Sequence, residues 1–255
     1  MTARAILTTA FLAVTLFSIP LVAAAEDTPA DGPVVSNVVS DDLPRETRVR
    51  TEEWSIGSDD DDIVLGMITR VRGDDSGKVY LLDTRQHLVH IMASDGEYLG
   101  SVGREGDGPG EVREPRDLLL MPDGTFGLLQ RMPGKIVKID RDGTPAGNVM
   151  IAGDAEGGFT SLQQMEQSGS HLVVLGRFSR PGDGFVVWEY FLAPVTGEDR
   201  LGASYTSAEA RLGGPSLQFH EKDHYLRMFM PWTVGVDQAV YFAPEREGYA
   251  VHVRT

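Results

Sequence analysis

Residues 103–117 read Gly-Arg-Glu-Gly-Asp-Gly-Pro-Gly-Glu-Val-Arg-Glu-Pro-Arg-Asp, with four glycines and two prolines in fifteen positions. A glycine loop of this kind invites comparison with a phosphate cradle. Such a cradle needs a helix next, so that N-terminal amides face the anion. Here the apolar run Leu118-Leu119-Leu120-Met121 follows, then Pro122-Asp123-Gly124, then a second apolar run from Thr125 to Leu129. That is strand, turn, strand, and Glu105, Asp107 and Glu111 would repel a phosphate. The glycines therefore belong to a chain that turns sharply between two β elements.

Working outward, the strand–turn–strand pattern recurs. Val79-Tyr80-Leu81-Leu82, Thr125-Phe126-Gly127-Leu128, Leu172-Val173-Val174-Leu175 and Val240-Tyr241-Phe242-Ala243 are each followed by an alternating partner: His87–Met92, Lys135–Asp140, Val186–Phe191 and Tyr249–Arg254. Ser94-Asp95-Gly96-Glu97 and Arg141-Asp142-Gly143-Thr144 are tight-turn signals leading into third strands, Tyr98–Val102 and Gly147–Ile151. Anchored on Tyr80, Phe126, Val173 and Tyr241, the intervals are 46, 47 and 68 residues. A period in the forties with several strands per copy predicts β-propeller blades, and the long interval predicts an insertion between Ser204 and Trp232. An innermost strand should precede each anchor, at Val64–Arg70, Arg116–Met121, Phe159–Gln164 and Trp232–Asp237. The small residues Gly66, Thr160, Ser161, Val234 and Gly235 are expected near the axis, where strands crowd.

The 103–117 segment resembles the inter-blade linker of secreted six-bladed β-propellers related to NHL repeats, the TolB-like propellers, which follows G-x-x-G-x-G-P-G-E-F-x-x-P-x-D. Gly103, Gly106, Gly108, Pro109, Gly110, Glu111, Pro115 and Asp117 match, and Val112 stands where Phe is usual. Gly153-Asp154-Ala155-Glu156-Gly157-Gly158-Phe159 is a degraded copy. The fold expected is all-β, a propeller of four-stranded antiparallel blades, with about four blades visible and a six-bladed circle incomplete. The alternative is four-bladed closure, in which Arg48–Ile56 supplies the outer strand of the last blade. The resemblance also admits a metal-dependent propeller hydrolase or lyase, lactonase-like or amidating-lyase-like. Of the inward ligands such chemistry needs, the inner strands offer Asp117 and Asp237.

Composition narrows the class. The chain of 255 residues has no Cys, which excludes disulfides, thiolate metal sites and cysteine nucleophiles. A net charge of −15 argues against nucleic-acid partners. Residues 1–25 carry Arg4, an apolar run from Ile6 to Val22 and Ala23-Ala24-Ala25, the order of a cleavable signal peptide. No later run is long enough to span a bilayer, so a secreted or periplasmic protein without a membrane span after cleavage is expected. Residues 26–46 read as a polar tail and 47–255 as the propeller, with blades at roughly 63–103, 116–153, 159–203 and 232–255. Asp59–Asp62 reads as a solvated loop, because four adjacent carboxylates diverge rather than converge on a cation.

Candidate chemistry is sparse. His220-Glu221-Lys222-Asp223-His224 spells H-E-x-x-H, with Glu245 further on. That makes His220 and His224 candidate zinc ligands, but the segment is short and lies in the insertion, where packing of Phe219, Tyr225, Leu226 and Phe229 on a blade explains it as well. No nucleophile elbow occurs, and no catalytic residue or cofactor is assigned. One constellation is regular: Arg85, Arg131, Arg177 and Arg246 follow the anchors by 5, 5, 4 and 5 residues. In a propeller the loops carrying them share one face, where guanidinium forks suit carboxylate, sulfate or phosphate. The competing reading pairs each with a neighbouring acid, such as Asp83, Glu245 or Glu247. The expectation is a binding module engaging an extracytoplasmic protein, peptide or anionic glycan on that loop face.

Overall fold

The runs Val79–Asp83 and Phe126–Gln130 are apolar nearly throughout rather than alternating, which a strand requires when both of its faces are covered. The computed structural model shows how. It describes residues 52–57, 63–151, 158–196, 200–213, 230–244 and 250–255, all in the second of two units into which the chain divides, Thr51–Thr255. Residues 1–51, which include the expected signal peptide and tail, Asp59–Asp62 and the segment containing His220 and His224 lie outside the described residues.

Blade 1 is an antiparallel sheet of β1 (Ile68–Gly73), β2 (Val79–Asp83), β3 (Leu88–Met92) and β4 (Tyr98–Val102), paired in chain order. Blade 2 repeats it with β5 (Pro115–Leu120), β6 (Phe126–Gln130), β7 (Lys135–Ile139) and β8 (Pro145–Met150). Blade 3 has longer strands, β9 (Phe159–Ser168), β10 (His171–Pro181) and β11 (Phe185–Thr196). Two further strands, β12 (Arg200–Leu201) and β13 (Thr206–Gly213), both pair with β11. Part of the expected insertion is thus an outer strand of blade 3. Blade 4 shows β14 (Trp232–Val234), β15 (Val240–Phe242) and β16 (His252–Arg254) among the described residues. The fold is an all-β propeller of antiparallel blades, four of them present.

The blades stack face to face. Tyr80, Leu82 and Val89 of blade 1 pack with Leu118, Phe126, Leu128 and Val137 of blade 2. Leu119, Leu129 and Ile136 on the other side of blade 2 pack with Leu162, Met165, Val174 and Phe191 of blade 3. Val173, Leu175 and Leu192 continue the series against Val240 and Phe242 of blade 4. Side chains on alternate faces of one strand therefore serve two different interfaces.

An aspartate closes the first turn of blades 1, 2 and 4. In the β1–β2 turn, Asp74 Oδ1 accepts from the Ser76 amide and hydroxyl, and Tyr80 donates its hydroxyl to Oδ2 at 2.6 Å. Those bonds from Ser76 and Tyr80 hold the Asp74 carboxyl at about 2. Blade 4 repeats the device with Asp237, Ala239 and Tyr241, while blade 2 uses Asp123 with Thr125 and Lys138. The β3–β4 turn carries Gly96 at φ +89° and the β7–β8 turn Gly143 at φ +90°, the left-handed backbone that the turn signals predict.

The 103–117 linker contains its own anion. Glu111 folds back into the glycine loop, accepts from the Gly108 amide at 2.8 Å and pairs with Arg104 Nε at 2.7 Å. A Cβ on Gly106 would stand 1.9 Å from the Glu111 carboxylate, so a side chain there would have to displace the returning glutamate. Val112, where the related linker has Phe, is fully buried in the interface between blades 1 and 2.

Residues 52–57 form no strand, which overturns the closure in which Arg48–Ile56 pairs with the last blade, as far as that segment is described. Trp54 instead donates Nε1 to the Ser94 carbonyl at 3.1 Å and lies over Gly96, on the β3–β4 turn of blade 1.

Candidate functional site

Each well-defined inner strand contains one register shift: between Ile68 and Arg70 in β1, between Pro115 and Asp117 in β5, and opposite Leu175/Gly176 in β9. A bulge adds a residue to one strand and re-aims those beyond it. The residues just past it are Arg70, Asp117 and Gln164, opposite Leu82, Leu129 and Leu175. Trp232, opposite Phe242, holds the corresponding place in blade 4. These four residues, one from each blade, converge with Thr69, Arg72 and Glu166 on an axial cavity of about 330 Å³.

Asp117 is its keystone. At 1% exposure it accepts from Arg70 Nε at 2.7 Å, from its neighbour Leu118 N at 2.9 Å and from Met165 N of blade 3 at 2.9 Å. One buried carboxylate thus ties three blades. Arg72 reaches past it, donating Nε to the Leu118 carbonyl at 2.8 Å and Nη2 to Glu166 Oε1 at 2.9 Å. Trp232 donates its indole N–H to Gln164 Oε1 at 2.7 Å, which fixes the ring plane. The lining holds two guanidinium groups and two carboxylates, so its formal charges cancel.

This corrects the expected axial set. Gly66 does not face the axis; a Cβ there would stand 2.7 Å from Asp83 Oδ1. Thr160 packs against Gly134 of the preceding blade. Asp237 is a turn residue bonded to Ala239 and Tyr241, not an inward ligand. Asp117 does lie inward, but as a saturated acceptor. The position was findable: Arg70, Asp117, Gln164 and Trp232 recur at 47, 47 and 68 residues, in step with the anchors.

The regular arginines fall in two kinds of place. Arg85 is in the β2–β3 turn and exposed, its amide donating to Asp83 Oδ1 at 3.0 Å. Arg131 is in the equivalent β6–β7 turn. Arg177 is not in a loop: the β10–β11 ladder continues past it to Pro181, because the strands of blade 3 are longer. The Arg131 carbonyl accepts from Leu162 N at 3.1 Å, and Leu162 pairs with Gly176, the neighbour of Arg177. The two arginine backbones therefore flank the same point of β9. Arg177 is 9% exposed, with its guanidinium carbon 3.9 Å over the Trp188 ring. Nε of Arg131 and Nε of Arg177 are both buried without a hydrogen-bond partner. Arg70, Arg72, Arg104, Arg113, Arg180 and Arg211 all pair with carboxylates, whereas no described carboxylate pairs with Arg85, Arg131 or Arg177. Arg246 and Glu245 lie outside the described residues.

Asp83, next to this turn face, is fully buried. Burial pushes its carboxyl up, but the amides of Met67, Gln86, Gly66 and Arg85 outweigh that and hold it at about 2. His90 Nε2 lies 3.5 Å from Asp83 Oδ2 in the same buried pocket. Among the described residues no group of three or more His, Asp or Glu side chains is placed to hold a metal ion.

A family model described as a 6-bladed beta-propeller matches residues 59–149, the stretch that holds blades 1 and 2. No curated protein matches the chain. Similar solved structures include a catalytically inactive virginiamycin B lyase from Staphylococcus aureus with quinupristin, at 13% identity and a TM-score of 0.38, covering 72% of this chain and 53% of that one. A streptogramin B lyase follows at 12% and 0.38, covering 70% and 61%. A protein of unknown function from Bacteroides caccae is similar at 12% and 0.33, covering 69% and 72%. The chain thus spans between half and two thirds of the length of the two lyases.

Proposed function

We propose that the protein is a secreted or periplasmic binding module of the NHL-related propeller kind, which engages an anionic group of an extracytoplasmic protein, peptide or glycan on its turn face. The observation that carries this reading is the pair Arg131 and Arg177, which flank one point of β9 with buried Nε atoms that no group among the described residues satisfies. Burying part of a guanidinium without a partner is costly, and the negative charge of a ligand carboxylate, sulfate or phosphate held beside the group offsets that cost. Stacking on Trp188 orients the Arg177 fork in advance, so little freedom is lost on binding. Arg85 adds a third positive charge from the exposed turn of blade 1. Export is supported by the signal-like order of residues 1–25, and no described helix is long and apolar enough to cross a membrane.

Calorimetric titration with a sulfated oligosaccharide, a polyuronate and an acidic peptide tests the reading. At least one should bind, more weakly as salt rises, and Arg131→Gln with Arg177→Gln should weaken it at least tenfold. Binding that is unchanged in the double variant overturns it.

A further inference from the structure

We propose that the axial cavity is a second, separate binding site, and that it takes a neutral saccharide unit. The first argument is charge. Arg70 is matched by Asp117, and Arg72 by Glu166. An anion in the cavity would stand beside the Asp117 and Glu166 carboxylates and a cation beside the two guanidinium groups, so the lining favours neither sign of charge. A neutral polyol leaves both pairs intact and still finds partners.

The second argument is the supply of polar atoms. Asp117 has committed both oxygens, but Glu166 has committed only Oε1, and Arg70 only Nε, to protein groups. Both side chains are about one third exposed to the cavity side, at 32% and 33%. A free carboxylate oxygen beside free guanidinium N–H groups accepts and donates together, the demand made by adjacent sugar hydroxyls. A simple anion or cation uses one half of that set.

The third is the wall. Trp232 lines the cavity, packs against the core between blades 3 and 4 and has its N–H taken up by Gln164, so it is wall rather than a donor for the ligand. The apolar C–H groups of a pyranose need only the small part of the indole that reaches the cavity, while its hydroxyls meet the predominantly polar remainder. A volume of about 330 Å³ stands at the small end of the ~300–1,000 Å³ range of ligand sites, which fits one or two sugar rings and not an extended peptide.

The test is titration of the full chain with glucose, galactose, mannose, N-acetylglucosamine, maltose and cellobiose, alongside citrate and arginine as charged probes. Binding is read by calorimetry and by tryptophan fluorescence. At least one neutral sugar should bind while the charged probes do not. Glu166→Gln and Trp232→Ala should each weaken it at least tenfold, and Trp232→Phe should retain most of it. Thermal melting checks the fold of each variant, and Glu166→Gln carries the test if Trp232→Ala does not fold. The double Arg131→Gln/Arg177→Gln variant should bind the sugar normally, which separates this site from the turn-face site. Failure of every sugar to bind overturns the proposal, as does sugar binding that survives both Glu166→Gln and Trp232→Ala, or tighter binding of a charged probe.

Discussion

Val71 and Leu118 hold the same register in blades 1 and 2, one residue past the bulge and opposite Leu81 and Leu128. Met165 holds it in blade 3. Leu118 and Met165 are fully buried, each against the preceding blade, whereas Val71 is 59% exposed. The strands are alike; their neighbours are not. In this architecture a blade does not contain its own core. It contributes half of two cores, and the value of an apolar residue depends on which blade stands against it.

Substitutions can break that contrast. The largest loss is expected for Asp117→Ala, which strands Arg70 and removes acceptors from two backbone amides; stability should fall by about 3–5 kcal/mol in urea unfolding. Leu118→Ala should follow at about 2–5 kcal/mol from the cavity it leaves, while Val71→Ala at the same register should change stability by under about 0.5 kcal/mol. Equal losses at the two positions would refute the account of the interfaces. Tyr80→Phe should cost about 1 kcal/mol, since it removes the hydroxyl bond to Asp74 but keeps the ring on Phe126.

The smallest effect is a matter of pH. Asp83 and Asp74 have carboxyls near 2 in the fold against 3.8 ordinarily, so the unfolded chain binds protons first as acid is added. Their contribution is complete above about pH 4 and is lost as pH falls toward 2. Unfolding midpoints measured between pH 5 and pH 2 should fall along that range, and Asp83→Asn should flatten the slope.

Much of this was legible in the residues. The anchors repeat at 46, 47 and 68, and the two Asp-Gly turns sit where the glycines adopt positive φ. The linker glycines form turns as their spacing predicts, whereas the return of the Glu111 carboxylate against Gly106 is a contact of the fold. Small side chains were the wrong sign of the axis: Arg70, Asp117, Gln164 and Trp232 line it, the first three beside a bulge that re-aims the strand. Arg177 was misplaced for a simpler reason: a hairpin seldom announces its length, and blade 3 extends its ladder four pairs beyond that residue.

Read alone, then, the residues specify a repeating β architecture, because strand periodicity, turn glycines and linker chemistry are local properties that each copy carries. They do not specify that Arg70, Asp117, Gln164 and Trp232 meet, nor that Arg131 and Arg177 stand beside one point of β9. Those juxtapositions join residues dozens of positions apart, through bulges and blade stacking, and only the packed blades bring them together.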